Sequence, residues 1–204
     1  MKGFVKGYYT LAVWITRFAY VNLLWVMFTI LGLLIFGFIP ATVAMFSVVR
    51  KWIVGDKDIA IFKVFWDSYK SEFLKANLIG YILFIIGYLL TIEFQILRAQ
   101  ESLVYLIASY GVIAVFILYF IVLLYFFPIF VHFNLKAIHY IKWPLIVGIV
   151  HPILTIFLTV AVISINYITF LTIPALLFFF GGSVTAFIIM WGASKTFSKY
   201  ENIE

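Results

Sequence analysis

The stretch that decides the fold is "FGFIPATVAMFSVVRKW" at residues 36–52, an apolar run with a proline inside it and a basic pair near its end. It is part of a longer run, residues 18–49, that contains no Asp, Glu, Lys or Arg. A helix that crosses a bilayer needs about 20 apolar residues, so this run is long for one span and short for two. Whether Pro40 kinks one helix or lies in a turn between two decides the number of spans.

The composition of the chain indicates a membrane protein. Of the 204 residues, 66% are hydrophobic and 11% are charged, whereas about a quarter of the residues of a soluble domain are charged. Only helices and closed barrels satisfy their backbone hydrogen bonds in lipid, and barrel strands would alternate apolar and polar residues. Because the apolar runs here are unbroken, the sequence predicts an all-α, polytopic bundle of transmembrane helices.

Four further spans follow from the positions of the charges. Residues 76–97 and 103–130 each form one apolar run of sufficient length, and residues 143–194 contain no Asp, Glu, Lys or Arg. The last run has room for two spans, which we expect at 144–165 and 167–193, with the turn near Asn166. Pro144 is then suited to the first turn of its helix, where proline is well tolerated.

The basic residues predict the orientation, because Lys and Arg are enriched in cytoplasmic loops. The 50–75 loop, the 131–143 loop and the C-terminal tail all contain Lys or Arg, whereas the 98–102 connection has Arg98 alone and the Asn166 turn has none. The three basic segments are therefore expected in the cytoplasm. The net charge of +6 is spread over these short loops, which is typical of membrane topology and argues against binding to nucleic acid.

The same count favours two crossings for residues 18–54. With one crossing, Lys2, Lys6 and Arg17 would join Arg98 outside; with a return, 13 of the 14 basic residues lie inside. A turn near Pro40 is plausible because the residue before proline disfavours the helical region and Gly37 relaxes the backbone. We therefore expect a helical hairpin at 18–54, an interfacial segment at 1–17, and six membrane helices, with five as the alternative.

Residues 58–73 have the pattern of an amphipathic helix on the cytoplasmic interface, with Asp58 as a candidate N-cap. Its polar face contains Lys63, Asp67 and Lys70. The apolar face is either seated on the protein's own bundle or is a docking surface for a partner, and its candidate docking residues are Phe62, Phe65, Trp66, Tyr69 and Phe73.

Several motifs in the first part of the chain resemble the YesL-like family, DUF624, of small bacterial membrane proteins. They are "NLLW" at 22–25, "GFIPAT" at 37–42, "VRKW" at 49–52, "FWDSYK" at 65–70 and "KAN" at 75–77. The family-motif residues in the opening stretch are Gly37, Pro40, Arg50, Lys51 and Trp52. The resemblance implies a bacterial cell membrane, an accessory role in carbohydrate uptake or sensing, and a sugar-transporter subunit or sensor as partner. It supplies no catalytic residues.

Few residues are candidates for chemistry. The enzyme motifs His-Glu-x-x-His and Gly-x-Ser-x-Gly are absent, as are phosphate-binding glycine loops, so we expect no enzyme and no cofactor. His132, Lys136 and His139 recur at helical spacing, but no carboxylate accompanies them to complete a metal site. The candidate polar sites within the membrane are Glu93, His151, Asn22 and Asn77, since polar groups at that depth pair across helices or mark a pathway.

Two functions are compatible with these observations. The first is a non-catalytic membrane protein that assists a transporter or a sensor. The second is a small solute transporter or channel, with the four candidate polar residues near its path. The scarcity of polar groups in the spans favours the first, and the sequence leaves the oligomeric state open.

Overall fold

The computed structural model describes residues 2–200, with side chains from Gly7 onward. The described chain is helical with short connections, and the π-helical turn Leu177–Gly181 leads directly into its last helix. The helices are α1 (Lys2–Leu31), α2 (Ile35–Val54), α3 (Ile61–Arg98), α4 (Leu103–His132), α5 (His139–Val150), α6 (Pro152–Thr172) and α7 (Gly182–Phe197).

Six helical segments within residues 2–200 are long and apolar enough to cross a bilayer. They are α2, α3, α4 and α6 together with Gly7–Leu31 of α1 and the segment Leu177–Phe197, which joins the π-helical turn to α7. The apolar helix α5 is too short to span. The predicted all-α bundle of membrane helices is therefore confirmed.

The turn between α1 and α2 lies at Gly32–Leu34, where Leu33 and Leu34 have φ angles of 57° and 64°. Pro40 lies inside α2, so the predicted turn at Pro40 is wrong in position. Proline within a helix leaves the carbonyl four residues earlier without its N–H donor. That carbonyl belongs to Phe36, and a donor from another helix compensates for the loss, as described below.

The predicted interfacial segment 1–17 is not separate in the structure, because α1 continues through Arg17 without a break. The guanidinium of Arg17 instead forms an ion pair of 2.9 Å with Asp58 in the α2–α3 connection. Asp58 is not the N-cap of α3, which begins at Ile61 after Ala60 and has no side-chain cap. Met1 and residues 201–204, which bear on the predicted cytoplasmic termini, lie outside the described residues.

The predicted amphipathic helix 58–73 and the predicted span 76–97 form one continuous helix, α3, of 38 residues. At 1.5 Å per residue its length is about 57 Å, well beyond a hydrocarbon core of about 30 Å. No glycine or proline lies between the two predicted segments, and Leu, Lys and Ala there are strong helix formers. The sequence predicted two segments because the polarity changes between them, but the backbone stays helical through that change.

The spans predicted at 144–165 and 167–193 are also shifted. The helix α5 contains Pro144 in its interior. It ends at Val150, and after His151 the next helix, α6, runs to Thr172. Asn166 lies within α6 and not in a turn. Its Nδ2 donates to the carbonyl of Val162 at 2.8 Å and, across to α7, to Thr185 Oγ1 at 2.9 Å. The connection that follows contains Pro174.

Candidate functional site

The helix α2 is the centre of the bundle. Eleven of its 20 residues are buried, and it packs against α1, α3, α4 and α7. By contrast, α6 has two buried residues, Thr155 and Leu158. The five family-motif residues predicted to matter, Gly37 through Trp52, lie on this central helix, so the structure can say what each of them contacts.

Gly37 brings α1 and α2 close together just after their turn. A Cβ atom built on Gly37 would lie 2.5 Å from the carbonyl oxygen of Thr29 and 2.6 Å from that of Phe28. A Cβ atom on Gly32 would in turn contact the backbone of Gly37 and the hydroxyl of Tyr69. Because backbone atoms cannot rotate away, this crossing requires glycine at both positions.

Pro40 is buried, and Asn77 on α3 compensates for its missing N–H. The Nδ2 of Asn77 donates to the carbonyl of Phe36, four residues before Pro40, at 3.0 Å. Asn77 is 7% exposed, and its Oδ1 has no hydrogen-bond partner within the described chain. Asn77 therefore joins α3 to α2 at the point where proline interrupts the helical ladder.

The basic pair at the end of α2 is divided between two environments. Arg50 is half-buried, and its Nε donates to Nδ1 of His132 at the end of α4, at 3.2 Å. Lys51 is exposed. Trp52 is 3% exposed and packs edge-on against the rings of Trp14 and Phe18 on α1, with centroid distances of 5.5 Å and 5.6 Å.

Asn22 on α1 supports the π-helical turn before α7. Its Oδ1 accepts from the backbone N–H of Ser183 at 2.9 Å, and its Nδ2 donates to the carbonyl of Phe178 at 2.6 Å. Asn22 is 1% exposed. A π-turn displaces the regular hydrogen-bond ladder, and the Asn22 amide satisfies two of the backbone groups that this displacement affects.

The predicted docking face on α3 is largely covered by the protein's own α1. Phe65 and Tyr69 are buried, and the ring of Phe28 lies 5.3 Å and 5.0 Å from their rings. Phe73 is partly buried against the same core. Of the five residues, Phe62 and Trp66 remain exposed, at 48% and 41%. The face as a whole is therefore not a free docking surface.

The remaining candidates lie apart from one another. Glu93 is exposed in the C-terminal half of α3 and forms no ion pair with Arg98. His151 lies at the break between α5 and α6, where its Nε2 is 3.4 Å from the hydroxyl of Tyr200. The structure does not bring Glu93, His151, Asn22 and Asn77 into one site.

The spacing of His132, Lys136 and His139 does not place them on one helix, because α4 ends at His132 and α5 begins at His139. Within the described residues there is no group of three metal-ligating side chains. The geometry instead gives His132 a role as the acceptor for Arg50, which sequence spacing did not suggest, since 82 positions separate the two residues.

Sequence reasoning also missed Tyr140, which organises the α4–α5 connection. Its fully buried hydroxyl donates to the carbonyl of Phe133 and accepts from the N–H of Leu135 and from Lys75 Nζ, each at 3.0 Å. The ammonium of Lys75 also lies 5.3 Å from the ring centre of Phe130. No local pattern indicates a tyrosine that ties α3 to a distant loop.

Comparisons with known proteins agree with the resemblance of the motifs. The family described as "Protein of unknown function, DUF624" matches residues 18–94. The chain is 34% identical to the uncharacterized protein YteU of Bacillus subtilis (strain 168) over 177 residues, which are 87% of this chain and 79% of YteU.

Two further proteins of Bacillus subtilis (strain 168) are similar over most of their length. The chain is 34% identical to the uncharacterized protein YesV over a region that covers 92% of this chain and 89% of YesV. The uncharacterized protein YesL is 31% identical over 90% of this chain and 86% of its own. A comparison with solved structures finds no match. The chain therefore belongs to the DUF624 family of proteins of unknown function.

Proposed function

We propose that this protein is a non-catalytic, multi-pass protein of the bacterial cell membrane that assists carbohydrate uptake or sensing by binding a sugar-transporter subunit or a sensor. One observation carries the proposal: the polar side chains within the spans are used for packing helices together. Asn22 bonds to the backbone around the π-turn, and Asn77 bonds to the carbonyl that Pro40 frees. A transporter of polar solutes would need such groups to converge on a path.

We expect such a partner to bind the lipid-facing surface of the bundle. The helix α6 is exposed along most of its length, with Ile153 at 84% and Phe157 at 54%. Phe62 and Trp66 on α3 are exposed beside the covered part of the predicted docking face. Both surfaces are apolar or aromatic, as the contact surfaces of membrane helices are.

Site-specific crosslinking tests this proposal in intact cells. A photo-crosslinking residue is placed at Trp66, at Phe157 and, as a matched buried control, at Phe65. We expect a crosslinked subunit of a sugar importer or sensor from one of the exposed positions and none from Phe65. Recovery of only abundant, unrelated membrane proteins from both exposed positions would contradict the proposal.

The second candidate is a small solute transporter or channel. It is favoured by the π-turn at Leu177–Gly181, since such turns are frequent at functional sites, and by the unpaired, buried Oδ1 of Asn77. Uptake of labelled sugars by purified protein in liposomes distinguishes the two candidates. Uptake that Glu93→Ala or His151→Ala abolishes would refute the accessory role.

The orientation belongs to the same proposal, with both termini in the cytoplasm. The ion pair between Arg17 and Asp58 supports it, because it holds the N-terminal half of α1 on the same side as the α2–α3 connection. With two crossings in the α1–α2 hairpin, the basic connections then share one side, as the positive-inside rule expects.

A further inference from the structure

The guanidinium of Arg50 has hydrogen-bond donors that the described chain does not use. Its Nε donates to His132, and within residues 2–200 its two Nη groups have no acceptor. Arg50 is half-buried, and neither Nη group is among the buried polar atoms that lack a partner, so both are reachable from outside the bundle. A guanidinium that is held at Nε while its fork stays open can bind a ligand from outside.

No carboxylate in the described part of the chain forms an ion pair with Arg50. Residues 1–55 and 102–200 contain no Asp or Glu, so α1, α2, α4 and α7 are free of acidic residues. The carboxylates of α3, on Asp67, Glu72 and Glu93, form no ion pair with Arg50. The one ion pair within the described part of the chain joins Arg17 to Asp58. The acidic residues Glu201 and Glu204 lie outside the described residues and are addressed by the test below.

His132 holds the guanidinium of Arg50 in position. Because its Nδ1 accepts from Arg50, the geometry assigns the ring proton to Nε2, on the side of the ring away from Arg50. The ring is held between aromatic neighbours, with centroids 4.6 Å from Phe133 and 4.5 Å from Phe197 at the end of α7. His132 therefore fixes Arg50 at Nε and leaves its two Nη groups free.

Part of the charge of Arg50 is compensated by α4, whose C-terminal end carries a partial negative charge of about one half. This interaction compensates charge only, and the Nη donors still have no acceptor within the described residues. The fork of a guanidinium matches the oxygens of a phosphate group, which can accept several N–H bonds at once. The site also lies where α2, α4 and α7 end, which is the depth of lipid headgroups at a bilayer surface.

We propose that Arg50, held in position by His132, is a binding site for a phosphate group, carried either by the headgroup of an anionic phospholipid or by a free anion. The proposal does not depend on the proposed function. It makes Arg50 a ligand-binding residue, whereas its neighbour Lys51, which is exposed, contributes only to the general positive charge of this end.

Thermal unfolding of the purified full chain in detergent tests the site, since a ligand that binds the folded state raises its stability. One arm adds phosphatidylglycerol against phosphatidylcholine, and the other adds sodium phosphate against sodium chloride at equal ionic strength. The variants are Arg50→Gln and Lys51→Gln, which remove the same charge at adjacent positions. Arg50→Lys keeps the charge but removes the fork.

We expect wild type and Lys51→Gln to be stabilised by phosphatidylglycerol at the same mole fraction, and Arg50→Gln to require about tenfold more. Arg50→Lys is expected to require a mole fraction between that of wild type and that of Arg50→Gln. If Arg50→Gln does not fold, the comparison of Arg50→Lys with Lys51→Gln replaces it. The same order of variants in the sodium phosphate arm alone identifies a free anion as the ligand.

Three results would overturn the proposal. The first is a response that Arg50→Gln and Lys51→Gln weaken equally, which would indicate bulk charge. The second is no response in either arm. The third is stabilisation by phosphatidylglycerol or phosphate that appears only in a double variant, Glu201→Gln with Glu204→Gln. That result would mean that the C-terminal tail neutralises Arg50 in the native chain.

Discussion

The contact between Asn77 and the Phe36 carbonyl gives a quantitative test of how the bundle tolerates Pro40. We consider Asn77→Leu, which keeps the volume of the side chain but removes the Nδ2 donor. In the wild-type background this leaves the Phe36 carbonyl without a partner, because Pro40 has no N–H to offer it. With Pro40→Ala, the N–H of residue 40 closes the normal helical bond and Asn77 is no longer needed.

The expected magnitude follows from the fate of that one carbonyl. A buried acceptor that loses its donor costs about 1–3 kcal/mol, and hydrogen bonds between membrane helices are worth about 0.6 kcal/mol on average and at most about 1.7 kcal/mol. We therefore expect a coupling free energy of about 1 kcal/mol between the two substitutions. The unpaired Oδ1 of Asn77 is removed in both backgrounds, so its contribution cancels, as does the change in packing.

The assay is reversible unfolding in mixed micelles, followed by the fluorescence of the six tryptophans, for wild type, both single variants and the double variant. Asn22→Leu is the matched control, because Asn22 bonds to the backbone near α7 and not to α2. Its effect should be the same with Pro40 and with Pro40→Ala. A coupling for Asn77 below about 0.5 kcal/mol, the limit of ordinary additivity, would refute the compensation.

Three further predictions follow from other contacts. Gly37→Ala should destabilise the bundle by about 1–3 kcal/mol in the same unfolding assay, because its Cβ would lie 2.5 Å from a backbone oxygen; an unchanged midpoint would show that the α1–α2 crossing is not tight. Asp58→Ala should leave stability within error, since a surface ion pair contributes little. In a chain without cysteine, Lys6→Cys should be shielded from an impermeant thiol reagent in intact cells and Leu33→Cys should react. Labelling of Lys6→Cys would instead indicate a single crossing.

The sequence was sufficient for the class of fold and for the number of long apolar helices, because hydropathy and length determine both. It was not sufficient for the places where helices begin and end. Pro40 and Asn166 were each assigned to turns, and both lie inside helices. In both cases a side-chain amide joins two helices at that point: Asn77 on α3 donates to the carbonyl of Phe36, and Asn166 donates to Thr185 on α7. Such partners come from the tertiary structure, which local propensity does not report.

The candidate site was predicted only in part, for a related reason. The sequence singled out the intramembrane amides as polar groups but not their partners, which lie far away in sequence; Asn22 and Phe178 are 156 positions apart. The aromatic face of α3 was identified by its periodicity, yet periodicity cannot tell a face that packs on α1 from one that binds another protein. Phe65 and Tyr69 proved to be core residues because Phe28 covers them.

The family-motif residues of α2 now divide by the kind of contact that each makes. Gly37, Pro40 and Trp52 are buried against neighbouring helices, and we expect a change at any of them to act through stability. Arg50 differs, because a packing role would be complete with its bond to His132 and would not require a guanidinium whose two Nη groups remain unpaired. A glutamine can donate one hydrogen bond to a histidine without placing there a charge that no described carboxylate pairs with. The presence of arginine at this position is therefore better explained by an anion than by packing, and Arg50 is where a search for this protein's ligand should begin.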